Sequence, residues 1–118
     1  MNIDNLIKET LSFTDLEIEQ DEYTGDEDRY IIYVYEDEAP ESFGDNRVTA
    51  DTVYLQIQLI TPKDFEYNSL KNRIRDALRA ADFYVTSIRS FLGSVYVGTE
   101  KIRQTVFEVN YTILGTEE

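Results

Sequence analysis

Carboxylates are the side chains of this sequence with the greatest potential for chemistry, because it has 24 Asp and Glu residues but no histidine or cysteine. The lack of histidine removes the commonest general base and the commonest metal ligand. The lack of cysteine excludes thiol catalysis and thiolate metal sites, and it fits the cytosol, where disulfides are rare. Acid–base or metal chemistry would therefore depend on carboxylates.

Two groups of neighbouring acidic residues carry the side chains that bind calcium or hydrolyse glycosides in other proteins. Asp21, Asp26 and Asp28 could offer oxygen ligands, but they lack the spacing and the closing glutamate of an EF-hand loop. A glycosidase needs two carboxylates on opposite walls of a cleft, one of them in an apolar pocket. Glu36 and Glu38 are neighbours in a polar run and fit neither requirement. We therefore expect solvated acidic segments, no metal or other cofactor, and no enzymatic activity.

The sequence offers little support for nucleotide or nucleic-acid binding. Gly44, Gly93 and Gly98 form no phosphate-binding pattern, and no Gly-Lys-Ser/Thr follows a strand. The net charge is −13 and the isoelectric point is about 4.2. Since backbone binding needs a basic face, we expect no specific nucleic-acid partner. No apolar run is long enough to predict a membrane span.

The periodicity of apolar residues predicts a single α+β domain over residues 1–118. Helical spacing indicates an N-terminal helix over Ile3–Phe13 and a second helix over Phe65–Ala81. Strands are predicted over Arg29–Tyr35, Thr52–Thr61, Phe83–Arg89 and Arg103–Leu114. A long loop or extended arm is expected over Glu36–Asp51. The architecture that satisfies this order is a mostly antiparallel sheet of about four or five strands, with two helices packed on one face.

The second predicted strand alternates cleanly, which identifies its core face. Its core positions are Val53, Leu55, Ile57 and Leu59. We expect them to lie under the apolar stripe of the second helix, at Leu70, Ile74 and Leu78.

Three basic residues spaced by four lie along the second helix, and we call them the basic stripe: Lys71, Arg75 and Arg79. One interpretation is a solvated helix face that pairs loosely with Asp76 and Asp82. The alternative is a docking site for the acidic arm Glu36–Asp45 of a neighbouring subunit. A head-to-tail contact needs two different, complementary patches on one chain, and the stripe and the arm meet that condition.

The segments follow a recognisable order: Tyr30–Tyr35, then Glu38-Ala39-Pro40 and Phe43-Gly44-Asp45-Asn46, then Val53–Leu59, Leu70–Phe83 and Thr105–Ile113. In the order of these segments and in their residue composition, the chain resembles the small tail-completion proteins of long-tailed phages, also called tail-terminator or head-to-tail joining proteins. The resemblance covers most of the chain and includes no catalytic signature.

This resemblance implies a virion structural protein that forms a ring, usually hexameric, at the head-proximal end of the tail tube. The ring would stop tube polymerisation and join the tail to the head-side connector, and DNA would pass through its bore. The expected partners are further copies of this chain, the tail-tube protein and the connector protein. The protein would lie in the host cytoplasm during assembly and then at the head–tail junction. The family's exposed arm would correspond to Glu36–Asp51, and its later loop to Phe91–Glu100.

The subunit interface is expected to join the arm to the stripe. The hypothesis involves Asp37, Glu38, Glu41, Phe43 and Asp45 on the arm and Lys71, Arg75 and Arg79 on the stripe. Phe43 would be the apolar anchor. The alternative function is a small acidic protein-binding module, such as a DNA-mimic inhibitor, which would occupy another protein's basic groove.

Overall fold

The computed structural model describes residues 2–42, 48–97 and 100–116, which form two α-helices and a five-stranded sheet. The helices are α1 (Ile3–Leu11), followed by a 3-10 turn (Ser12–Thr14), and α2 (Asn68–Ala80). The strands are β1 (Ile18–Gln20), β2 (Tyr30–Ser42), β3 (Val48–Pro62), β4 (Tyr84–Val97) and β5 (Glu100–Thr116). The predicted α+β class, with a mostly antiparallel sheet and two helices, is confirmed.

The order of strands across the sheet is β1-β2-β3-β5-β4. The short β1 pairs in parallel with β2, and every other neighbouring pair is antiparallel. Since α2 connects β3 to β4, the chain crosses over and then returns, so β5 fills the place between them. The acidic segment from β1 to β2 therefore lies at one lateral edge of the sheet, and β4 forms the other edge.

The alternation of β3 determines which face of the sheet is covered by helices. Its core positions are Val53, Leu55, Ile57 and Leu59, all at most 3% exposed, as predicted. They pack in one cluster with Ile7 and Leu11 of α1 and with Ile74 and Leu78 of α2. We call this the helix-covered face, and the opposite side the open face. The alternate residues Tyr54, Gln56 and Gln58 lie on the open face, since successive side chains of a strand point to opposite sides.

Helix α1 is attached to β2 by a shared carboxylate. Its N-cap is Asn2, whose side chain accepts a hydrogen bond from the Asn5 N–H at 3.1 Å. Asp4 Oδ1 accepts hydrogen bonds from the hydroxyls of Tyr33 at 3.0 Å and Tyr35 at 2.7 Å. Burial, together with the hydrogen bond to the Asp4 carboxylate, raises the pKa of Tyr33 to about 12. Both tyrosines therefore act as neutral donors that hold the first helix on the sheet.

Helix α2 is shorter than predicted because it begins at Asn68 and ends at Ala80. The Glu66 carboxylate accepts a hydrogen bond from the Asn68 N–H at 3.0 Å, near the start of the helix. At the other end Asp82 has a left-handed backbone, with φ of 71°. The Phe83 N–H then donates to the Leu78 carbonyl at 2.9 Å. This six-to-one hydrogen bond is typical of a Schellman ending, and it turns the chain directly into β4.

Strands occupy most of Glu36–Asp51, which fits the extended arm and not the long loop, and most of Phe91–Glu100, where the loop implied by the resemblance is wrong. Strand β2 continues to Ser42 and β3 begins at Val48, while β4 continues to Val97 and β5 begins at Glu100. The strands pair far beyond the core, from Ser42↔Thr49 in one hairpin to Val97↔Glu100 in the other. Acids and proline suggested a loop, but exposed ribbon strands tolerate them when neighbouring strands supply the backbone hydrogen bonds.

The sheet is much longer than the helices that cover it. Strands of 13 to 17 residues span roughly 43–56 Å at about 3.3 Å per residue. Helices of 9 and 13 residues span only about 14 and 20 Å. The radius of gyration is 16.0 Å and the longest extent is 57 Å, whereas a compact chain of this length has a radius of about 13.5 Å. The two hairpins therefore project past the helical layer.

The face assignment predicts unequal costs for the same substitution on the two sides of the sheet. Ile57 is fully buried on the helix-covered face, so Ile57→Ala should lower the free energy of unfolding by roughly 2–5 kcal/mol. The matched control is Ile32→Ala, since Ile32 is only half-buried and lies on the open face. This variant should lower the free energy of unfolding by clearly less than Ile57→Ala does. Chemical denaturation measures both. An unchanged midpoint for Ile57→Ala would show that the faces are reversed.

Candidate interaction surface

In the part of the chain that the structure describes, the exposed large apolar side chains all belong to strands: Tyr35, Tyr54, Tyr84, Phe91 and Leu92. Among residues 2–42, 48–97 and 100–116, no three acidic side chains are grouped so that they could hold a metal ion. In the same part of the chain, no helix is long and apolar enough to cross a membrane.

The first lateral edge carries the acids of β2, and we call it the acidic edge: Tyr35, Glu36, Asp37, Glu38 and the neighbouring Tyr54. All five side chains are exposed. A bulge between Tyr35 and Asp37 interrupts the pairing with β3, and Asp37 lies opposite Tyr54. The Glu38 N–H donates to Asp37 Oδ1 at 2.9 Å. The predicted interface residues Asp37 and Glu38 are therefore presented to solvent.

The other arm residues of the hypothesis lie at or beyond the limit of the description. Glu41 belongs to β2, opposite Ala50, and Phe43 and Asp45 lie outside the described residues. The role of Phe43 as an apolar anchor stays a prediction.

The backbone of the acidic edge is free of a neighbouring strand in the described part of the chain. Strand β1 pairs only with Ile31–Tyr33, so β2 has no outer partner beyond that point. The bulge, three consecutive acids and Pro40 follow there. Proteins use these features to stop an edge strand from pairing with a like edge of another copy. These features therefore oppose pairing of this edge with another strand.

The basic stripe lies on the flank of α2, beside the core positions. Lys71 and Arg75 are half-buried, whereas Arg79 is exposed. Lys71 Nζ donates to Asn68 Oδ1 at 3.2 Å, and Arg75 Nε contacts Asp76 Oδ1 at 3.0 Å. Exposed ion pairs contribute only about 0–1 kcal/mol, so this pair leaves Arg75 able to take another partner. Among the described residues, no salt bridge joins the stripe to the acidic edge of its own chain.

Three other arginines stack on aromatic rings within the same chain. Their guanidinium carbons lie 4.5–4.9 Å from ring centroids: Arg29 over Phe65, Arg73 over Phe13 and Arg103 over Tyr67. Such contacts contribute about 0.5–2 kcal/mol each. These arginines therefore stabilise the subunit, and Lys71 of the stripe makes a weaker contact of the same kind, with its Nζ 5.8 Å from the Tyr67 ring centroid.

The second lateral edge is formed by β4, which carries three of the five large apolar side chains that are exposed in the described part of the chain. Tyr84 is 67% exposed, Phe91 42% and Leu92 43%. The strand has no acidic residue, and its single charge, Arg89, donates to Glu108 Oε1 at 3.3 Å. The pairing with β5 places Tyr84, Arg89 and Phe91 on the open face of the sheet, whereas α2 and its basic stripe lie on the helix-covered face.

The open face carries a row of hydrogen-bonded polar side chains that crosses the sheet. Gln56 Nε2 donates to Glu36 Oε2 at 3.2 Å and to Glu108 Oε1 at 2.9 Å. Gln58 donates to Gln56, and Gln104 donates to Gln58. The alternation of β3 placed Gln56 and Gln58 away from the core, but the sequence analysis did not identify the row. Its partners come from β2 and β5, and their register could not be predicted.

Two carboxyl groups meet within this polar row. A hydrogen bond with the Glu108 carboxyl, together with burial, raises the pKa of Glu36. When two carboxyl groups share a hydrogen bond, they hold their common proton more tightly than a lone carboxyl group does. Gln56 donates to both groups and Arg89 donates to Glu108, which offsets part of the repulsion when both are ionised.

No protein-family model matches this chain, and no curated protein matches it.

The carboxyl pair predicts that Glu36→Gln increases stability at neutral pH. The folded-state pKa of Glu36 lies above its ordinary value of 4.5, so ionisation penalises the folded state more than the unfolded state. Below about pH 4.5 the group is protonated in both states, and the variant should match the wild type. Its advantage in free energy of unfolding should grow as the pH rises through the raised pKa. Glutamine keeps a donor for Glu108.

The control is Glu22→Gln, which removes an exposed carboxylate from the loop after β1. Urea titrations of the three proteins between pH 4 and pH 8 measure the difference. An advantage of Glu36→Gln that is equal at every pH, or equal to that of Glu22→Gln, would contradict the coupling of the two carboxyls.

Proposed function

We propose that this chain is a structural subunit of a phage tail, a tail terminator that forms a ring at the head-proximal end of the tail tube. The ring, which we take to be hexameric, covers the end of the tube and stops further subunits from adding. It then presents a surface to the head-side connector. The proposal combines the segment order of the sequence with the shape and surfaces of the fold.

The observation that carries the proposal is the projection of two long hairpins beyond a small helical layer. A sheet of about 50 Å covered on one face by helices of about 14 and 20 Å has more surface than a self-contained domain needs. Its hairpins can reach a neighbouring subunit or the tube while the core stays intact. Assembly proteins act through shape and contacts of this kind, without a reactive centre.

The charge of the chain supports the proposed passage of DNA. A subunit with a net charge of −13 gives a ring whose walls repel phosphate. DNA can then slide through the bore without binding to it, because phosphate contacts require basic side chains.

The distribution of charge gives the two complementary patches that a ring contact needs and that a DNA-mimic inhibitor does not require. A mimic needs acids spread over one continuous surface that fits a basic groove. Residues 68–97, from α2 to β4, hold five basic and two acidic residues and so carry a net charge of +3. That side of the molecule would face away from any basic partner.

Loss of this protein should change tail length and head joining. In lysates of a phage that carries a null allele of this gene, electron micrographs should show overlong tubes and separated heads and tails. Wild-type protein supplied from a plasmid should restore tails of normal length. Ile32→Ala, the mild control for the fold, should restore them too.

Joined tails of normal length in the absence of the protein would contradict the proposal. A DNA-mimic inhibitor gives a different result, since the purified protein would then displace DNA from a basic DNA-binding protein of the host and would not affect tubes.

A further inference from the structure

A groove of about 500 Å³ lies on the helix-covered face, beside the first turn of α1. Its two residues from β2, Tyr35 and Glu38, pair with core positions of β3, so they project to this face as well. The groove combines three apolar side chains, one aromatic ring and two carboxylates: Ile3, Val53, Ile113, Tyr35, Asp4 and Glu38. Among the described residues that line it, none is basic.

The apolar side chains give the groove a firm surface. Ile3 and Val53 belong to the hydrophobic core, and Ile113 packs against it. Because the core holds these side chains in place, their exposed parts can receive an alkyl chain without rearrangement. Long charged side chains bury their methylene stems on apolar surface of this kind while their charged ends stay outside it.

The two carboxylates have acceptor oxygens to spare. Asp4 Oδ1 accepts from both tyrosine hydroxyls, whereas no hydrogen bond or salt bridge among the described residues uses Oδ2. The side chain of Glu38 is exposed and makes neither kind of contact in the same part of the chain. Burial, the hydrogen bond to Asp4 and the nearby charge of Glu38 raise the pKa of Tyr35. Both carboxylates therefore lie around one neutral aromatic ring.

A ring between two carboxylates favours a cation, through cation–π contact and charge-assisted hydrogen bonds. The N-terminus of α1 opposes this with a partial charge of about +0.5, which is smaller than the two negative charges of Asp4 and Glu38. A guanidinium group fits better than an ammonium group, since it is planar, stacks on rings and has donors for two carboxylates. A free polyamine fits less well, because it is charged at both ends and the acids lie around Tyr35 only.

We propose that this groove receives an arginine side chain of a partner protein. The guanidinium group lies against the Tyr35 ring and binds Asp4 and Glu38, while the methylene stem lies on Val53 and Ile113. The site goes beyond the proposed ring, because it assigns the chemistry of a partner residue and does not depend on the assembly that the chain joins.

A capped Gly-Ala-Arg-Ala-Gly peptide tests the groove, and the same peptide with neutral citrulline in place of arginine is the ligand control. The methyl NMR signals of Ile3, Val53 and Ile113 report binding at the groove itself. The arginine peptide should shift them with a dissociation constant on the order of 1 mM, because a single side chain makes few contacts. The citrulline peptide should bind at least about threefold more weakly. Added salt should weaken binding of the arginine peptide only.

Substitutions of the carboxylates test the same contact from the side of the protein. Glu38→Gln should fold normally and weaken binding of the arginine peptide by about threefold to fivefold. Its matched control is Glu22→Gln, in the loop after β1, which has the same net charge of −12 because each variant loses one of the 24 acids. This control should bind like the wild type. Asp4→Asn/Glu38→Gln, which keeps an acceptor for the tyrosine hydroxyls, should remove the preference for arginine over citrulline.

Four outcomes would overturn the assignment. Equal affinity for the two peptides would show that the groove does not select a cation. Equal losses in Glu38→Gln and Glu22→Gln would show a general attraction to an acidic chain. Unmoved signals of the three groove residues at about 10 mM arginine peptide, tenfold above the expected dissociation constant, would show that the groove is not the site. Spermidine that shifts the same signals at lower concentration than the arginine peptide would identify a free polyamine as the ligand.

Discussion

The packing of two short helices on one face of a long sheet is the constraint on which the other features depend. Val53, Leu55, Ile57 and Leu59 of β3 lie under Ile74 and Leu78, and this contact establishes which residues of every neighbouring strand face the core. The opposite face is then left to Gln56, Gln58 and Glu108, which satisfy one another through hydrogen bonds. Because the helices cover only the middle of the sheet, its ends and edges remain available for contacts with other molecules.

The sequence predicted the parts of the fold that depend on local periodicity. The alternation of β3 and the apolar stripe of α2 identified the core residues and the α+β class, because burial imposes those periods directly. It did not predict the length of the hairpins. Glu36–Ser42 contains four acids and a proline, which locally favour a loop, yet β3 pairs with it through Ser42↔Thr49. Pairing between distant segments depends on the register of the whole sheet and leaves no local signal.

The candidate surfaces, like the fold, could be predicted from the sequence only in part. The basic stripe could be found from its spacing of four, and the exposure of Asp37 and Glu38 was expected from their polar context. The polar row and the aromatic residues of β4 could not be found in this way. Glu36 and Glu108 are far apart in sequence and meet only because β2, β3 and β5 lie side by side. Tyr84, Phe91 and Leu92 look like core residues until the strand order places β4 at an edge.

The separation of charge explains how a subunit with a net charge of −13 could assemble with itself. Repulsion between whole subunits is screened over about 8 Å at physiological ionic strength. Acidic residues far from the contact therefore add little repulsion once two surfaces meet. What decides the geometry is the local charge at the contact, and this differs in sign between the two edges. A uniformly acidic molecule would have no preferred direction of approach. This one has a direction, because residues 15–42 on one side of the sheet hold twelve acids while β4 has none. A ring would require contacts between unlike patches, and the asymmetry of charge opposes the symmetric alternative, in which two acidic edges would meet.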